Sequence, residues 1–205
     1  MKQPTSRLLY GYWNEVRGDR IAPTRFEIEP SRISEILSEA FILELGERGG
    51  HVFRLAGSRI CEQIGIELRG RDVRWLAGRD DSILDDMLEK ITRDGGVGVL
   101  EVDAETRDGR HADFEMIILP LIHPAEKITR FVGAISFVDP PAWIGIEALT
   151  PVAIKSYEVI WPEGRPFSIV AHGRQQLALS PVFAGASVVR SERRQFRVLE
   201  GGRKP

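Results

Sequence analysis

Cysteine is nearly absent from this 205-residue chain. Cys61 stands alone, which excludes an internal disulfide framework and a multi-cysteine zinc site and suits a reducing compartment. Long apolar runs are missing too. The longest, such as Phe131 to Val138, have the length of a strand and fall far short of the roughly 18 residues of a membrane span. The opening Met1-Lys2-Gln3-Pro4-Thr5-Ser6-Arg7 lacks the apolar stretch of a signal peptide. Charge of one sign is also lacking. A net charge of −2 provides no field to draw the whole molecule to DNA or to an anionic membrane. The histidines His51, His111, His123 and His172 are scattered without metal-ligand spacing, and no G-x-S-x-G, P-loop or H-E-x-x-H motif occurs. The expectation is a cytoplasmic protein with no membrane partner, no metal and no assigned catalytic residue.

What is present is ordinary for a globular domain: 42% hydrophobic and 28% charged residues. Residues 6–17 read as a helix capped by Ser6, with Leu8, Leu9, Tyr12, Trp13 and Val16 on one stripe. That stripe is either a dimer face or a core face. A second helix is expected from Pro30-Ser31. Phe41–Leu45 and His51–Ala56 form a hairpin across Gly46-Glu47-Arg48-Gly49-Gly50. Short helices follow over 58–64 and 72–76. The strongest helix runs from Asp80 to Arg93, its acidic start matched to the dipole.

Three strands come next, at 97–105, 112–121 and 130–138. Asp108-Gly109 turns the first pair, and a looser turn lies near Pro124-Ala125-Glu126-Lys127. These connections are too short for parallel crossovers. The pattern predicts an α+β layer built on a five-stranded antiparallel sheet with helices on one face. Beyond Trp143 the periodicity fades. Tyr157–Trp161 and Phe167–Ala171 are strand candidates. The last twenty residues carry net +4 against −6 for the rest.

Phe53-Arg54-Leu55-Ala56-Gly57-Ser58 followed by Gly65-Ile66-Glu67-Leu68-Arg69-Gly70 resembles the stretch from the second strand through the next helix of PAS domains. Trp13, Arg17-Gly18, Pro23-Thr24-Arg25, Glu29-Pro30 and Leu119-Pro120-Leu121 resemble the PAS_5 subfamily of alphaproteobacterial regulators. The resemblance covers residues 6–140. It implies an N-terminal helical cap over 1–40, a PAS core over 41–140 and a C-terminal extension, partly mobile, over 141–205. It also implies a sensory or interaction module that acts through a signalling protein partner, with a homodimer expected. The implied ligand pocket is lined by Phe53, Met87, Ile91, Phe114, Met116, Ile118, Phe131 and Ile135.

A haem PAS domain uses a histidine on the long helix, and residues 80–93 contain none. Cys61 lacks the flanking Asn and Arg of the flavin-photosensing motif, so neither haem nor a covalent flavin adduct is expected. The alternative, a small enzyme using the same cavity, would draw on Glu101, Asp113 or Glu115. These acids fit outward strand positions. In the tail, Arg193, Arg194 and Arg197 resemble the R-x-x-x-R opening of PilZ domains, but the PilZ barrel does not follow. A solvated basic tail is the plainer reading, and a docking peptide or a nucleotide contact the sharper one. Nucleic acid is not an expected partner, because the body is acidic and no recognition motif occurs.

Overall fold

The computed structural model describes residues 1–46, 49–123 and 127–162, and the backbone of 168–171. The described residues belong to one compact unit, Met1–Gln175. Helix α1 (Pro4–Arg17) opens the chain, and 3₁₀ segments Arg25–Glu27 and Pro30–Glu39 follow. Strands β1 (Ala40–Leu45) and β2 (His51–Ala56) make the hairpin. Helix α2 (Ser58–Ile64), a 3₁₀ segment Val73–Ala77 and helix α3 (Asp81–Asp94) come next. Strands β3 (Val97–Glu105), β4 (His111–His123) and β5 (Lys127–Phe137) form the meander. Strands β6 (Thr150–Ile160) and β7 (Ser168–Ala171) extend the sheet.

The sheet order is β2-β1-β5-β4-β3-β6-β7, with every pair antiparallel. The five expected strands are present and two more join them. Strand β6, which the sequence reading assigned to an extension, is bonded along β3 from Val97↔Ile160 to Glu105↔Thr150. It is anchored from the helical side as well: the Asp80 carboxylate accepts the Ile154 N–H at 2.9 Å, and Arg79 N–H donates to Val152 at 3.2 Å. The candidate strand at the end of the pattern is seen as backbone only, over 168–171.

Helices cover both faces of the sheet rather than one. Period-2 alternation divides the strands. Phe41 and Leu43, Leu100 and Val102, Phe114, Met116 and Ile118, and Phe131 and Ile135 point to an inner face under α2 and α3. Val97 and Val99, Ile117, Leu119 and Leu121, and Val132 and Ala134 point to an outer face under α1.

Local departures have local causes. Pro4 takes the first helical turn, where its missing N–H is not needed. Ser6 therefore does not cap: it lies inside the helix, buried, with its hydroxyl unpartnered among the described residues. The second expected helix is 3₁₀, kinked at Ile33, and starts after Glu29 rather than with a Ser31 cap. Gly109 holds the Asp108-Gly109 turn with φ 82°, a conformation that glycine adopts without strain. The turns through 47–48 and 124–126 lie outside the described residues.

Candidate functional site

The eight residues expected to line a pocket come together on the inner face. Phe53 comes from β2, Met87 and Ile91 from α3, Phe114, Met116 and Ile118 from β4, and Phe131 and Ile135 from β5; each is at most 1% exposed. Their side chains fill the space between α3 and the sheet. The approach is closest at Gly98 of β3. A Cβ there would lie 2.7 Å from both the Met87 sulfur and the Ile91 Cδ1, so α3 seats its side chains where β3 has none.

At the rim, the His51 imidazole meets the Phe131 ring edge-on at 4.9 Å. Burial pushes His51 below the ordinary imidazole range, and the nearby Asp72 carboxylate only partly opposes it. Cys61 on α2 is half-buried; burial pushes its thiol up, and its sulfur lies 3.6 Å from a Glu67 carboxylate oxygen.

The α1 stripe is divided. Leu9, Tyr12 and Trp13 are buried in the chain's own outer core and Val16 packs against it, while Leu8 is exposed. The stripe is thus mainly a core face and offers a second copy little more than Leu8. The reason is geometric: α1 lies across β4 and β5, whose outward residues at this end are apolar.

The acids considered for catalysis lie on the outer face, away from the inner core. Glu101 binds Lys2 Nζ at 2.5 Å, and Asp113 binds Lys155 Nζ at 2.5 Å. Glu115 takes the outward strand position expected of it, yet is buried at 3% exposure. Its carboxylate accepts the backbone N–H groups of Lys2 at 2.6 Å and Gln3 at 3.0 Å, so it holds the entry to α1. Among the described residues, no group of acids, histidines and cysteines could hold a metal. Arg193, Arg194 and Arg197 lie outside the described residues.

The sequence reading missed a concavity, about 590 Å³, on the outer face near β1 and β2. Arg25, Arg54, Arg69 and Arg130 line it together with Glu44 and Glu67. They come from separate segments, and no local motif marks them.

Similarity to known proteins follows the fold. Among solved structures, the dark-state light-oxygen-voltage (LOV) domain of Aureochrome1 shares 19% identity over 52% of this chain and 80% of that one, with a TM-score of 0.42. The PAS domain of a Colwellia psychrerythraea protein shares 14% over 53% and 94%, with a TM-score of 0.40. A LOV protein of Rhodobacter sphaeroides shares 12% over 56% and 71%, with a TM-score of 0.40. No curated protein sequence matches the chain. One family model, PAS_5: PAS domain, matches residues 1–136 and so takes in both the α1 clasp and the meander. The chain therefore belongs to the PAS_5 family of PAS domains.

Proposed function

We propose that this protein is a cytoplasmic sensory or regulatory module of a signal-transduction system, with the α3–sheet interior as its ligand-responsive element and a protein partner as its output. PAS domains are, in general, sensory and signalling modules. The observation that supports the finer reading is the make-up of the interior. Met87 and Met116 sit among Phe53, Phe114 and Phe131. Unbranched thioethers re-pack around a guest more readily than branched chains do. A small apolar molecule entering there displaces Met87 and loosens the seat of α3 on Gly98. It biases the module only in so far as it binds the two arrangements differently.

Native mass spectrometry of freshly purified protein, with an absorbance spectrum of the same sample, tests this. A mass excess that is lost on denaturation is the expected result. A bare mass, in protein incubated with cell extract as well, overturns the ligand role and leaves a partner-binding module. The mass spectrum also reads the oligomeric state, for which the sequence resemblance implies a homodimer.

A further inference from the structure

The outer-face concavity has a charge imbalance that the fold does not use. Four guanidinium groups face two carboxylates, a formal +2. Glu44 is shared: it lies 3.3 Å from Arg130 and 3.7 Å from Arg54. Glu67 is held by its own loop, accepting the Arg69 backbone N–H at 2.9 Å. That bond keeps its carboxyl below the usual range and therefore ionised at neutral pH. Among the described residues the Arg69 guanidinium has no hydrogen-bond partner and no carboxylate within 4.0 Å; its charge acts on Glu67 only at longer range. The Arg25 side chain has one long bond, to the Ile28 carbonyl at 3.4 Å. Ile42, half-buried, and Leu55, 46% exposed, also line the concavity and give its mainly polar wall an apolar patch.

We infer that this groove binds a small organic phosphate with at least two negative charges and an apolar ring, the chemistry of a nucleoside diphosphate. Guanidinium forks match phosphate oxygens two at a time. The volume falls in the range of small-molecule sites. Ile42 and Leu55 offer a surface for a ring. A second copy docked groove to groove is a poor occupant, because it would bring another +2 to the same place. The site is separate from the interior proposed above. β1 carries both, with Phe41 and Leu43 turned inward and Ile42 and Glu44 outward.

Titration calorimetry on the full chain with ADP as probe, and with pyrophosphate and adenosine as its two halves, tests the assignment. ADP is expected to bind and to weaken as salt rises. Pyrophosphate should bind more weakly and adenosine not measurably. In the Arg54→Ala/Arg69→Ala double variant, ADP affinity should fall at least about tenfold for each arginine lost. Arg54 is 64% exposed and its only ion pair among the described residues is the 3.7 Å contact with Glu44, so the unfolding midpoint should stay near that of the parent. Arg69→Lys keeps the charge, loses the fork and should show an intermediate loss. Absence of ADP binding at millimolar concentration overturns the assignment. ADP binding unchanged in the double variant overturns it as well. So does capture of a polyglutamate peptide or an oligonucleotide in the absence of ADP binding.

Discussion

The indole N–H of Trp13 donates to the carbonyl oxygen of Pro120 at 2.8 Å, and this bond ties α1 to β4 where β3 has already ended. The last β3 partner on β4 is Ile118, paired with Gly98. Two residues on, Pro120 has no N–H to offer a strand, and Trp13 takes its carbonyl. Two residues further, Ile122 N–H donates to Pro23 at 2.9 Å. The N-terminal extension thus satisfies the β4 edge that the sheet leaves open.

Trp13 is fully buried and also carries the Arg17 guanidinium 5.6 Å from its ring centre. Trp13→Phe keeps most of the volume but leaves the Pro120 carbonyl unpartnered, an expected loss of about 1–3 kcal/mol. Trp13→Ala opens a cavity as well and is expected to cost about 3–5 kcal/mol. Urea unfolding followed by circular dichroism measures both. A Trp13→Phe midpoint equal to that of the parent would refute the role of the bond.

Gly98→Ala forces the new methyl against Met87 and Ile91. The expected cost is about 1–3 kcal/mol, because the clash falls on side-chain ends that give way only partly in a packed core. Met87→Ala should cost less in the Gly98→Ala background than in the parent, since it relieves that clash. A four-way thermal-unfolding cycle reads the coupling, and additive costs would show that the two residues do not meet.

Asp80→Ala leaves the Ile154 N–H without its partner and is expected to cost about 1–3 kcal/mol. Asp80→Asn keeps an acceptor oxygen and should cost less. Hydrogen exchange at Ile154 supplies the local reading: protection should fall most in the alanine variant.

Two histidines should titrate on opposite sides of 6.5. The hydrogen bond to Asp103, reinforced by its charge, raises His111, whereas burial lowers His51. The signs follow by linkage. The stability from His111 is fully present below 6.5 and is lost as pH rises through its raised folded value. His51 works the other way: protonation opposes the fold as pH falls below 6.5. NMR titration of the imidazole protons checks both, and Asp103→Asn should bring His111 back toward 6.5. A His111 midpoint already at 6.5 in the parent would contradict the pairing.

The sequence by itself determined the elements and the inner face. Alternation in Phe114, Met116 and Ile118 and the apolar stripe of residues 80–93 assign those side chains to a core, because strand and helix periods are local properties of the chain. The Phe-Arg-x-x-Gly and Glu-Leu-x-Gly wording added the family, and all eight expected interior residues do share one cluster.

Tertiary structure decided what periodicity cannot express. An apolar stripe does not say what buries it. Only the docking of α1 on β4 and β5 made Leu9, Tyr12 and Trp13 core rather than interface. The strand at 150–160 has an alternation broken by register shifts against β3, and its place depends on β3 and Asp80, distant in sequence. Glu115 looks like a solvent-facing strand residue until the backbone N–H groups before α1 arrive over it. The arginine groove takes one residue from each of four segments, and only the folding of β1, β2 and β5 against the loops beside them converges those charges.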